Sequence, residues 1–481
     1  MLAALRRLPL WSLALISGII YLIFALWFRL TAHYNQAPLA DVYSLGKAWW
    51  QGLLYGLLLT ALFGAYGLAW WRVAAEDRPV RTIWLAAILF VLLLLFVFPI
   101  NATDIYRYFI RGRVASFYGE SPYLFAPDQF PDPYLPLAGE WQSFTSPYGP
   151  LWEMVAFGVT WLVQWLAPAG RVLLTGLLGF KLLAAGLFLG SGYLLSRDRG
   201  PARLLLWLWN PALLLTFIAN GHNDSLMLFW FMAGWLCVRR EKPYLAWFLF
   251  LLAVLSKPIG LLALPFLFIY LWRRELGTGR WLQFTGLTTL MSLLLVWLLF
   301  LPFGSPLDLG RRLLTESTGF PGFSLVTLII LARNHILGPT PYGDITRIAL
   351  VLFALATLGL LWLAWRGRAA QRNVADIFFL YVLQAASFRI WYASWLWPWL
   401  LLDEGEDGKT GRRLLAGALY LYLTQLSVVI YAHLRTDLLA GEQLWAHALA
   451  IPLVFGLPLS VLWGGGRAVA GADSHSDTHP A

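Results

Sequence analysis

Along most of the chain, apolar residues run unbroken for close to twenty positions and stop at short polar segments that are usually basic. A run of that length spans the hydrocarbon core of a bilayer as a helix. Such runs occupy 11–31, 48–71, 82–100, 172–195, 203–219, 223–238, 281–301, 345–366, 413–433 and 445–464. Two longer runs, 243–272 and 375–402, are interrupted at Lys257-Pro258 and at Arg389. Each has basic residues at both ends. Arg239, Arg240 and Lys242 precede the first, and Arg273 and Arg274 close it. Arg366, Arg368 and Arg372 precede the second, and Lys409, Arg412 and Arg413 follow it. Both are expected to double back as hairpins with the interruption at an outward-facing tip.

Residues 11–31 are too long for the apolar stretch of a signal peptide and lack a small-residue cleavage site, so they read as an uncleaved first span. Arg6 and Arg7 precede that span, which puts the N-terminus in the cytoplasm. The segment "PLWEMVAFGVTWLVQWLA" (150–167) is apolar enough to cross. Counting it would put "SRDRGPAR" (Ser196–Arg203) outside and invert every later basic loop, so it is expected to lie in the outer interface. The pattern predicts an all-α polytopic membrane protein of about 12–14 transmembrane helices in a single domain, with both termini cytoplasmic. Two outer segments, 101–171 and 302–344, and a disordered tail, 467–481, complete the map.

Composition agrees. The chain is 59% hydrophobic and 12% charged, far from the charge content of soluble domains. A single cysteine, Cys237, excludes a disulfide framework and a cysteine metal cluster. The net charge of +10 belongs to membrane sidedness, and no nucleic-acid partner is expected.

Polar residues that break the apolar pattern carry the candidate chemistry. In "NATDIYRYFIRGR", Asp104, Arg107, Tyr108 and Arg111 recur at helical spacing and so share a face. An interfacial anchor accounts for Tyr and Arg there. A carboxylate at the lip of a membrane cavity could equally serve as a general base, with the guanidinium groups holding a phosphate. "GESPY" and "SPYGPLW" are proline-braced turns, and their Tyr123 and Tyr148 could pack on sugar faces. "NPALLLTFIANGHNDSLM" joins two apolar runs through His222, Asn223 and Asp224. Helix capping explains one of these three, and ionisable residues at membrane depth point to function. Lys257 and Arg389 are isolated cations at the hairpin tips that could snorkel to headgroups or bind a lipid phosphate. Trp391 and Tyr392 lie beside Arg389 in "FRIWYASWLWP". No phosphate-binding loop, HExxH motif or serine triad is legible.

Together, "TDIYRYFIRGRVASFYGESPY", "SPYGPLW", "NPALLLTFIANGHNDSLM", "LAVLSKPIGLLALPF" and "WYASWLWP" resemble the GT-C superfamily of integral-membrane glycosyltransferases. The nearest likeness is to the polyprenol-phosphate-mannose-dependent α-mannosyltransferases of bacterial envelopes. The resemblance implies a polyprenyl-phosphate-linked hexose donor, with mannose leading, used on the outer face of the cell membrane. It implies inverting transfer to an acceptor hydroxyl on a glycolipid, glycan or protein. It makes Asp104 the base and assigns the donor phosphate to Lys257, Arg389, Arg107 and Arg111. The sugar or acceptor pocket falls to Tyr108, Tyr123, Tyr148, His222, Asn223, Asp224, Trp391 and Tyr392. With one aspartate in "NATDIYR", no divalent metal or other cofactor is expected. A transporter or flippase of lipid-linked sugars is the rival reading. Transporters usually carry internal repeats and midplane polar sites, and no convincing repeat is found here.

Overall fold

Inside a bilayer every backbone polar group has to be satisfied within its own segment, so apolar runs without interior proline close into helices. The computed structural model describes residues 8–76, 79–316, 322–338, 343–405 and 408–463. Arg6, Arg7 and the tail 467–481 lie outside them, as do parts of the 302–344 segment. The helices are α1 (Leu10–Trp27), α2 (Trp49–Arg72), α3 (Pro79–Leu94), α4 (Asp104–Ser116), α5 (Pro150–Leu166) and α6 (Val172–Ser196). They continue with α7 (Pro201–Ala219), α8 (Asp224–Arg239), α9 (Pro243–Ser256), α10 (Leu264–Leu276), α11 (Trp281–Phe300) and α12 (Pro306–Glu316). The last are α13 (Leu325–Leu337), α14 (Gly343–Trp365), α15 (Ala370–Gln384), α16 (Gly408–Val429) and α17 (Gln443–Leu462). Among the described residues there is no strand, only an isolated bridge between Arg29 and Val97. The protein is an all-α polytopic membrane protein, with eight helices among the described residues long and apolar enough to cross a membrane unaided. Shorter apolar helices such as α3, α9 and α13 supplement them. α11 buries only Phe284, Thr288 and Phe300, and α14 only Ala349, Leu360 and Ala364. Their remaining faces are apolar and open, as suits contact with lipid tails.

The interruptions in the sequence become breaks with local causes. Lys257 precedes a proline and is extended (φ −147°, ψ 117°), which ends α9. Asn210-Pro211 breaks α7, where the Asn210 side chain accepts from the Ala212 and Leu213 N–H groups (3.0 and 3.4 Å).

Both interrupted runs double back. α9 leads from Lys242 to Lys257, and α10 returns to Arg274, which donates to the Val238 carbonyl (3.2 Å). α15 leads from Arg372 toward Arg389. The short helix Trp397–Leu402 then returns to Asp403, which pairs with Arg372 (2.8 Å). Arg239 at the end of α8 pairs with Asp198 (3.2 Å) and with Glu404, while Asp376 holds both Arg368 and Arg413 (2.5 and 2.6 Å). The basic loops thus gather at one end of the bundle. Asp224, Lys257 and Arg389 lie at the far ends of the helices that leave it.

One buried amine ties the bundle together near those far ends. Lys181, fully buried on α6, donates through Nζ to the carbonyls of Val97 (2.6 Å), Ile218 (3.2 Å) and Ala219. Two of these carbonyls belong to a π-helical stretch, Leu214–Ala219, whose wider turn disturbs the usual bonding ladder. Lys181→Met fills the same space and leaves those carbonyls without their partner. The expected cost is about 2–5 kcal/mol, since each orphaned buried group costs about 1–3 kcal/mol. A clear drop in the melting temperature of the purified protein checks it, and an unchanged melt would show the staple to be dispensable.

Candidate active site

α4 begins at Asp104, so this carboxylate sits in the first turn, where the helix dipole favours a negative charge. The helical spacing puts Asp104, Arg107 and Arg111 on one wall of a cavity of about 790 Å³. Asp104 is 5% exposed. Its Oδ1 accepts from Arg107 (3.0 Å) and from the Tyr148 hydroxyl (3.1 Å), and its Oδ2 has no hydrogen-bond partner. Burial opposes ionisation, but Arg107, His222 and Lys257 together outweigh it and hold the carboxyl well below the usual carboxylate range.

Tyr148 is aimed by its loop. Gly149 donates its N–H to the Ser256 carbonyl (3.2 Å), and a Cβ there would collide with the Leu255 carbonyl, so only glycine permits this approach. Tyr123 donates its hydroxyl to the Tyr148 carbonyl (2.8 Å), and Ser146 bonds both the Tyr148 N–H (3.2 Å) and Glu153 (2.5 Å).

The "NGHND" turn delivers the next groups. Gly221 adopts φ +65°, which lets the chain reverse out of α7 beside Ile105. His222 then faces Asp104, with Nε2 3.7 Å from Oδ2, and its Nδ1 lies 2.9 Å from Asp224 Oδ2. Asp224 Oδ1 in turn holds Lys257 Nζ (2.5 Å). The result is a line, Asp104–His222–Asp224–Lys257, with Asn223 Oδ1 also accepting from Lys257 (3.4 Å). Neither Asn223 nor Asp224 caps α8 through its side chain. His222 Nδ1 also accepts from the Asp224 backbone N–H (3.5 Å), while Nε2 faces Asp104.

Of the residues singled out from sequence, Asp104, Arg107, Arg111, Tyr148, His222, Lys257, Arg389, Trp391 and Tyr392 line the cavity. Tyr108, Tyr123, Asn223 and Asp224 do not reach its surface. Tyr108 packs behind it against Tyr148 and Trp152 (5.1 and 4.8 Å between rings). Trp391 lies 4.9 Å from the His222 ring, and Lys257 stands over the faces of Tyr392 and Trp395 (5.7 and 5.5 Å). The sequence reading missed Trp141, which Arg107 covers at 4.2 Å, and the cavity residues Asp41, Tyr43, Tyr431 and Arg435. Lys181 was missed too, although a lone lysine inside an unbroken apolar run is itself a signal. Among the described residues, no group of three or more His, Cys, Asp and Glu side chains is placed to hold a metal ion.

Chemically, the site offers a carboxylate kept ionised by its neighbours, whose Oδ2 meets only the His222 ring, with cations around it and aromatic faces beside it. A family model described as alpha-(1->6)-mannopyranosyltransferase, N-terminal domain, matches residues 18–273. Alpha-(1->6)-mannopyranosyltransferase A of Mycobacterium tuberculosis is 28% identical over 373 residues, 72% of each chain. The protein of that name from Corynebacterium glutamicum is 28% identical over 181 residues, 36% of this chain and 35% of its own. No solved structure matches the chain.

Proposed function

The chain belongs to the alpha-(1->6)-mannopyranosyltransferase family, and from that premise we propose that it transfers mannose from a polyprenyl-phosphate carrier to a sugar hydroxyl. It is an integral-membrane mannosyltransferase of GT-C type. The observation that carries the finer reading is the Asp104 carboxylate on the cavity wall, kept ionised and with Oδ2 facing only His222.

In the proposed reaction an acceptor hydroxyl, the primary one of a mannosyl residue if the (1->6) linkage of the relatives holds here, approaches Asp104 Oδ2. As the hydroxyl oxygen bonds to the anomeric carbon, its proton passes to Oδ2 and the carbon–oxygen bond to the carrier phosphate breaks on the opposite side. Such an inverting displacement gives an α-linkage from a β-linked donor. His222, oriented by Asp224, supports the same hydroxyl from Nε2. Cations facing the cavity stabilise the phosphate as charge develops on it, in surroundings that screen poorly. Trp391 and Tyr392 offer apolar faces to the sugar rings. Charge supports use on the outer face: the basic loops gather at the end of the bundle away from the cavity, where the positive-inside preference favours the cytoplasm.

The test is a reconstituted assay with mannose and other hexoses offered on a polyprenyl phosphate and, separately, on a nucleotide. The expected result is mannosyl transfer from the lipid carrier alone, with an α-linked product. Transfer from the nucleotide sugar without the lipid would overturn this reading.

A further inference from the structure

Five cationic side chains line the cavity against three carboxylates, Asp41, Asp104 and Glu140. Three of the cations are already engaged. Arg107 holds Asp104, Arg111 donates to the Phe144 carbonyl (3.1 Å), and Lys257 closes on Asp224. The remaining two, Arg389 and Arg435, have no side-chain ion pair or hydrogen bond among the described residues.

These two arginines belong to one part of the wall. The Phe323 N–H donates to the carbonyl of Phe388, the residue before Arg389 (2.9 Å). The Phe323 ring lies 4.1 Å from that of Tyr431, which stands four residues before Arg435. The turn carrying Arg435 is pinned by the segment that holds Tyr43 and Gly46. It follows a π-helical stretch, Ile430–Leu434, in which His433 Nε2 lies 2.6 Å from the Gly46 carbonyl. The Tyr43 hydroxyl donates to Asp437 (3.0 Å), which keeps that carboxylate occupied. The Tyr431 hydroxyl and Arg435 Nε are both buried without a partner. Wider π turns are frequent at functional sites, where they re-aim side chains.

We propose that Arg435 and Arg389 form a phosphate-binding site for a lipid-linked substrate at this end of the cavity. A guanidinium fork matches phosphate oxygens through paired charge-assisted hydrogen bonds, and a neutral sugar has no use for two uncompensated charges. This gives Arg435 the role that the resemblance implies for Lys257, whose charge Asp224 already answers. The phosphate is that of the carrier or that of an acceptor glycolipid; both present the same chemistry to the two arginines. The inference rests on the reading that the substrate is a lipid phosphate.

Binding of farnesyl phosphate and of farnesol to the purified enzyme in lipid nanodiscs tests it without turnover. The unaltered enzyme should prefer the phosphate. Arg435→Ala should weaken farnesyl phosphate binding about tenfold or more, with farnesol unchanged, since a charged hydrogen bond is worth about that much. Arg435→Lys keeps the charge but loses the fork and should fall between. Equal affinity of the Arg435→Ala and unaltered enzymes for farnesyl phosphate would overturn the proposal, as would no preference over farnesol in the unaltered enzyme. In the transfer assay, a raised KM for the donor assigns the site to the carrier phosphate, and one confined to a phosphate-bearing acceptor assigns it to the acceptor. A rise in neither overturns the site while the transferase reading stands. That reading falls separately, if the unaltered enzyme uses no lipid-phosphate donor.

Discussion

Asp104→Asn should lower mannosyl turnover by about a hundred- to ten-thousand-fold, the usual contribution of a positioned general base. The substitution preserves shape. Asparagine Oδ1 can still accept from Arg107 and Tyr148, which bond Oδ1 in the native site. What disappears is the charged Oδ2 that faces His222. Farnesyl phosphate binding should therefore survive while transfer is lost. Because neighbouring cations hold the native carboxyl well below its usual range, it stays ionised across the working range. The rate of the native enzyme should show no acid limb from Asp104 between about pH 5 and pH 8. Turnover of the Asn variant within about fivefold of native, measured on purified protein, would remove Asp104 from the chemistry.

Asp224→Ala should be nearly as damaging by a different route. Asp224 is fully buried and meets His222 Nδ1 and Lys257 Nζ at once. Removing it strands a lysine charge, and breaking a buried ion pair from one side costs about 3–5 kcal/mol. It also frees the His222 ring, so turnover should fall about a hundredfold or more through loss of the ring's aim. The two effects can be separated. Adding Lys257→Met removes the stranded charge, so the double variant should recover much of the melting temperature but not the turnover. Recovery of both would reduce Asp224 to a counter-ion for Lys257. As a positioning residue acting through His222, it should affect kcat more than KM.

How much of this was legible in the sequence depends on the kind of signal. Hairpins around Lys257 and Arg389 could be read because basic residues at both ends of a long apolar run demand a return. Asp104 and His222 could be read because an ionisable residue in such a chain stands out. Partnership could not. Asp224 and Lys257 lie on different helices, α8 and the end of α9, and no local spacing couples them, so a residue occupied by an ion pair looked available to substrate. Tyr123 looked like a sugar platform because exposure of a loop tyrosine is the default expectation, whereas its hydroxyl braces the Tyr148 backbone. Arg435 resembled an ordinary basic flank at the end of a span. The π turns that precede it and that end α7 have no signature in residue pattern, since they arise from how neighbouring helices pack.

The cavity wall has a consequence for how such enzymes diverge. The carboxylate, His222 and Asp224 all fall inside the stretch 18–273 that the family model covers, whereas Arg389, Trp391 and Arg435 fall after it. Under the proposed assignments, reactivity and cargo grip are written in different stretches of the polypeptide and meet only in space. Drift in the later stretch can retune which molecule is held without touching the bond-making apparatus. A hybrid that joins the first stretch to a relative's remainder would inherit the chemistry from one parent and the appetite from the other.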